Sequence, residues 1–129
     1  MPTTPAIQSI LALNMALDDF IVEGLEKRIN RYSYLTQKVI NNSRKLGFEL
    51  FIEDSRLRSV AVTAICLPKN ISAIELQNYL FDRGFSVWCY EKSAETRDKS
   101  LIEISVMGDL TESDINKCFS VIEEFITSK

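Results

Sequence analysis

The hydrophobic pattern of the chain changes period once, and that change limits what the chain can fold into. From Ile7 to Leu46 apolar residues recur at three- and four-residue intervals, the spacing of one face of an α-helix. Beyond Gly47 they fall in short β-prone runs, with one helical stretch among them and another at the end. Thr4-Pro5 is a helix start, a capping hydroxyl followed by proline at the first helical position. Ile7, Ile10, Leu11, Leu17 and Ile21 form the stripe of the first helix, and Leu13, Ala16 and Phe20 widen it beyond the needs of a surface helix. Such a helix is expected to lie between two partners. Gly24 interrupts the pattern. A second helix is expected from about Leu25 to Lys45, with Leu25, Ile29, Tyr32, Val39 and Leu46 inward, Arg28, Arg31, Lys38 and Arg44 outward, and Gly47 at the C-cap.

In the second half, Phe48–Ile52 and Ser59–Leu67 read as strands. Ser72-Ala73-Ile74-Glu75 has the form of a capping box, so a helix should run to about Arg83 and stop at Gly84. Phe85–Tyr90 and Leu101–Met107 read as two more strands joined by the charged loop Glu91–Lys99. In the last strand Ile102, Ile104 and Val106 face one way, and Glu103 and Ser105 the other. Thr111 caps a final helix whose buried stripe is Ile115, Cys118, Phe119, Ile122 and Ile126. The expected fold is α+β: two N-terminal helices, then a small, mainly antiparallel sheet in ββαββα order, covered by helices on one side. The 129 residues suit one domain, made of a helical junction segment (1–46) and a small α+β part (47–129).

Composition narrows the chemistry. There is no histidine, which removes Ser-His-Asp and Cys-His catalysis and His-ligated zinc. Cys66, Cys89 and Cys118 are too scattered for a disulfide scaffold, a redox pair or a metal site, and read as small buried hydrophobes in a reducing, cytoplasmic setting. No metal is expected. A net charge of −3 argues against a nucleic-acid partner, and no apolar run is long enough for a membrane span. No glycine spacing forms a nucleotide-binding loop. Asp18-Asp19 read as a solvated helix face, and Lys92 and Lys99 lie in too polar a loop to serve as Schiff-base lysines. Glu103 is the pointed residue, a carboxylate in mid-strand between apolar neighbours, which must be paired, face a cavity or lie on a sheet face open to water.

Several segments in order carry a resemblance. Thr4-Pro5-Ala6-Ile7, then Ala12-Leu13, Ala16-Leu17 and Glu23-Gly24-Leu25-Glu26, resemble the start of the C-terminal small domain of class V, fold-type-I aminotransferases, in the branch of the 2-aminoethylphosphonate–pyruvate and alanine–glyoxylate enzymes. The likeness continues through Arg31, Leu46-Gly47-Phe48, Ser59–Thr63, Pro68, Phe81-x-x-Gly84-Phe85 and Leu101–Val106 to Met107-Gly108-Asp109-Leu110. The resemblance implies a cytoplasmic, homodimeric parent enzyme that uses pyridoxal phosphate to move an amino group from a small amino acid or aminophosphonate to a keto acid. It implies that the cofactor lysine lies in a large catalytic domain outside this sequence. The chain alone would then hold no catalytic residue and be inactive. Of the family's cofactor ligands only Thr4 carries over, as a phosphate-binding hydroxyl at a helix start.

The family's carboxylate-clamping arginine, five residues before the glycine of the last strand, is replaced here by Glu103. Glu103 is therefore the candidate substrate-binding residue, with reversed charge. It implies a different substrate, a cation such as Arg97 acting in the arginine's place, or lost transamination. The alternative, read from the residues themselves, is a free-standing α+β module that binds a small molecule or regulates through the face bearing Glu103 and Ser105.

Overall fold

The computed structural model describes residues 6–129, so Thr4 and Pro5 lie outside the described residues. The elements are α1 (Ile7–Glu23), α2 (Leu25–Lys45), β1 (Glu49–Leu50), β2 (Val62–Cys66), α3 (Ala73–Phe81), β3 (Trp88–Tyr90), β4 (Leu101–Ser105) and α4 (Glu112–Thr127). The four strands form one sheet in the order β1-β2-β4-β3 with every pairing antiparallel. This is the α+β fold that the sequence implies. Two compact units divide the chain, Met1–Arg31 and Tyr32–Lys129.

In the first unit, α1 has no buried residue, and Ile7, Ile10, Leu11, Leu17 and Ile21 of its expected stripe are all exposed. Gly24, at φ +83°, separates α1 from α2, a backbone conformation glycine adopts without steric cost. Beside it the Glu23 carboxylate accepts from Arg28 Nε at 2.6 Å and Arg31 Nε at 2.8 Å, and those bonds, that from Arg31 foremost, hold its pKa below the ordinary carboxylate value. Leu25 and Ile29, expected to face inward, are exposed. The buried stripe of α2 is Leu35, Thr36, Val39, Ile40 and Ser43, all within the second unit.

The second unit builds its core on one face of the sheet. Ile65 on β2 and Ile102 on β4 are direct partners and fully buried, and α2, α3 and α4 bring Val39, Leu76, Leu80 and Ile122 to the same cluster. Ile102, Ile104 and Val106 face this core as the alternation requires. In α4 the inner stripe includes Phe125, while Ile126 is only partly buried.

Element boundaries differ from the sequence reading for identifiable reasons. Residues 85–87 do not join β3, because Phe85 N donates to Leu80 O and Gln77 Nε2 donates to Val87 O at 2.7 Å, which holds the segment to α3. Likewise Val60 O is taken by Thr36 Oγ1 at 2.8 Å and Ser59 Oγ accepts from Ala61 N, so β2 starts at Val62. Thr111 and Asp114 form a full capping box at α4. At α3 only half of one forms: Ser72 accepts from Glu75 N, but the Glu75 carboxylate pairs with Lys129. Glu91, just past β3, supplies a different contact to the same helix start. It accepts from Ile74 N at 3.1 Å and from the Ser72 and Ser100 hydroxyls, and these bonds, led by that from the Ile74 amide, lower its pKa.

Because that carboxyl is held below its unfolded value, its contribution is complete above the ordinary carboxylate range and fades as pH falls through the folded pKa. Glu91→Ala should therefore cost about 1 kcal/mol at neutral pH, the scale of a lost helix N-terminal contact. Urea titrations of both proteins should converge at acid pH; a gap that stays constant would refute the assignment.

Candidate functional site

Alternation along the strands gives the sheet a second face, and the register places its residues in rows. Glu103 on β4 pairs with Ala64 on β2 and with Trp88 on β3. Phe51, just past β1, extends the row by donating its amide to Ala64 O at 3.0 Å. Across the four strands the row thus reads Phe51, Ala64, Glu103, Trp88. Ser105 and its partner Val62 lie on one side of it, and Tyr90, Leu101, Cys66 and Glu49 on the other. Trp88 is 65% exposed and Tyr90 is 41% exposed, whereas Cys66 and Leu101 are buried.

Glu103 is half-buried on a central strand, and among the described residues it has no ion pair or hydrogen-bond partner. Its neighbours explain this. The Ala64 side chain carries no polar atom, and that of Trp88 is chiefly a ring. Of the alternatives raised by the sequence, Glu103 is the carboxylate on an open face rather than one paired among the described residues. Arg97 does not act as its counter-ion: its guanidinium stacks 4.9 Å from the centre of the Phe51 ring, on a row position separated from Glu103 by β2. The structure therefore gathers Glu103 and Ser105 on one face, as their spacing implies. Trp88, Ala64 and Phe51 were not singled out in the sequence, although the alternation Val87-Trp88-Cys89-Tyr90 carries the signal that turns Trp88 outward.

A separate, concave region, an open groove of about 1030 Å³, runs past Cys66, Lys69, the start of α3, Glu91, Lys99 and Lys129. Lys129 is paired there with Glu75. Lys99 pairs with Glu49 at 2.7 Å, and that bond raises the lysine's pKa, so the amine stays protonated and is no nucleophile. Burial raises the thiols of Cys66 and Cys89 and pushes that of Cys118 up to about 11. The cysteines are thus thiols held neutral by desolvation, as their apolar surroundings imply. Among the described residues no helix is long and apolar enough to cross a membrane, and no three His, Cys, Asp or Glu gather as a metal site.

An antiparallel sheet with helices on one face and an unpaired charge on the other defines a domain that presents, rather than encloses, its site. Comparison with known proteins shows which proteins share it. No family model matches the chain. An uncharacterised aminotransferase of Methanocaldococcus jannaschii is 34% identical over 82 residues, 64% of this chain and 21% of the relative. Rabbit (Oryctolagus cuniculus) alanine–glyoxylate aminotransferase is 26% identical over 123 residues, 95% of this chain and 31% of the relative. The solved alanine–glyoxylate aminotransferase of Nostoc sp. shares the fold, with a TM-score of 0.80 and 18% identity over 96% of this chain and 32% of its own. The resemblance read from the ordered segments is borne out: the chain's relatives are aminotransferases. It spans about a fifth to a third of the length of the curated relatives it matches.

The two sheet faces should respond differently to substitution. Ile102→Ala, on the covered face, should cost about 2–5 kcal/mol. Glu103→Gln, one residue away, should stay within about 0.5 kcal/mol of the parent, because no partner is lost. Paired denaturant titrations measure both, and a destabilised Glu103→Gln would show that the carboxylate has a structural partner.

Proposed function

We propose that the chain is the C-terminal small-domain part of a pyridoxal-phosphate-dependent aminotransferase that acts on a small amino acid or aminophosphonate with a keto-acid acceptor. The observation that carries this reading is the match itself: nearly the whole chain aligns with alanine–glyoxylate aminotransferase while spanning less than a third of it. The exposed apolar residues of α1 support it, since a patch of that kind marks a surface made to be covered, here by a large catalytic domain. The parent is a cytoplasmic homodimer in this reading, with reduced thiols and amino- and keto-acid ligands.

Pyridoxal phosphate, when bound, supplies the reactive carbonyl and the electron sink for amino-group transfer. The described residues do not fit it. Lys99 is held protonated by Glu49, and Thr4, the one cofactor residue carried over, lies outside the described residues. Cofactor attachment thus falls to the large domain, and the part left to this chain is to present Glu103 and its row of neighbours to a ligand. The second reading, a free-standing small-molecule-binding or regulatory module, is favoured by one observation, the unpaired carboxylate of Glu103 beside an exposed Trp88.

Intact-mass measurement of the native product separates the two. The aminotransferase reading expects a polypeptide roughly three or more times the 14.7 kDa of this chain, as its relatives' coverage implies. It also expects the isolated chain, mixed with pyridoxal phosphate, an amino acid and a keto acid, to give no turnover. A native product of 14.7 kDa, or turnover by the chain alone, would overturn it.

A further inference from the structure

A carboxylate fixed in the middle of a sheet normally has its counter-charge within the fold, because partial burial without one is costly. Glu103 has none among the described residues, and the arrangement around it is what an organic cation requires. We propose that the open sheet face binds the ammonium group of an amine, with the Glu103 carboxylate as counter-ion and the Trp88 indole as a wall. Three features converge on that chemistry. Glu103 sits on β4 with strands on both sides, so its position is set by two ladders rather than by a mobile loop. Trp88 is its direct cross-strand partner, which puts an indole about 5 Å away at the Cβ atoms, and an indole face attracts a cation where a carboxylate alone would leave it hydrated. Ala64, the partner on the other side, is small and apolar and leaves room for the alkyl part of the ligand.

The same chemistry rejects an anion. A ligand carboxylate or phosphonate directed at Glu103 meets like charge, and the cations described at this face are both engaged on the β1 side, Arg97 over the Phe51 ring and Lys99 in its ion pair with Glu49, two strands away. The group approaching β4 is therefore the amino end of the ligand, not its acid end. The inference deepens the small-domain reading by assigning the charge of the ligand group that reaches Glu103. Its test needs no amino transfer, so failure of one leaves the other measurable.

The sequence contains a single tryptophan, and it is Trp88, so its emission reports directly on the proposed site. The chain is titrated with n-butylammonium chloride and, separately, with sodium butyrate, with ionic strength held constant. We expect a saturable change in Trp88 emission with the amine, at concentrations up to tens of millimolar, and none with butyrate. Glu103→Gln should weaken amine binding about tenfold, the effect of losing one charge-assisted contact. Glu103→Arg should reverse the preference, so that butyrate becomes the saturating ligand. Circular dichroism of each variant establishes that the fold is intact. An equal response to amine and acid, an unchanged dissociation constant in Glu103→Gln, or no saturable response to the amine would overturn the proposal.

Discussion

The antiparallel ladder between β2 and β4 is the constraint on which the rest of the unit depends. Five residue pairs set its register, from Val62↔Ser105 to Cys66↔Leu101. Neighbouring pairs point to opposite sides: Ile65↔Ile102 is fully buried under the helices, and Ala64↔Glu103 lies on the open face. A slip of one residue would drive Glu103 into the core and turn Ile102 to solvent, so burial of the isoleucines holds the carboxylate in place. Glu103 is thus positioned by the energetics of its neighbour.

Around that ladder the edges are fastened by side chains rather than by long strands. β1 has two residues and β3 has three, and short edge strands need other ties. Glu91 ties the end of β3 to the start of α3 and to Ser100, while Lys99 ties the head of β4 to Glu49 on β1. Between them the loop is folded tightly: Ser93 N donates to Thr96 Oγ1 at 2.8 Å, Asp98 N donates to Ser93 O at 2.9 Å, and Thr96 is buried. Arg97 and Asp98 take positive φ values of 53° and 57°, unusual for residues with a Cβ, and the bonded loop holds them there. One result is that the Arg97 guanidinium lies over the Phe51 ring, away from Glu103.

Much of this was legible in the sequence, and the exceptions share a cause. Elements whose signal is local were found: the Leu25–Lys45 helix, the Thr111 cap, and the two-residue alternation that separates Ile102 and Ile104 from Glu103. Where contacts across the fold decide, the local signal misled. Phe85–Val87 has strand propensity, but Leu80 O and Gln77 claim its polar groups. Ser72–Glu75 has the capping-box pattern, but Lys129 draws Glu75 away and Glu91 arrives from β3. Leu25 and Ile29 continue a helical stripe whose buried part begins later. Of the site, Glu103 and Ser105 were visible as polar interruptions of an apolar strand. Trp88, Ala64 and Phe51 were not, because their place beside Glu103 is a matter of register, which no single segment encodes.

The central claim is that the β2–β4 ladder, covered on one face, is the stable centre of the second unit, while α1 buries none of its residues. Native-state amide hydrogen exchange of the isolated chain tests this residue by residue. The account predicts the slowest exchange at the paired amides of Val62–Cys66 and Leu101–Ser105, with the amides of Ile7–Glu23 exchanging far faster. Protection of α1 equal to that of β4, or a β4 that exchanges like an edge strand, would contradict it.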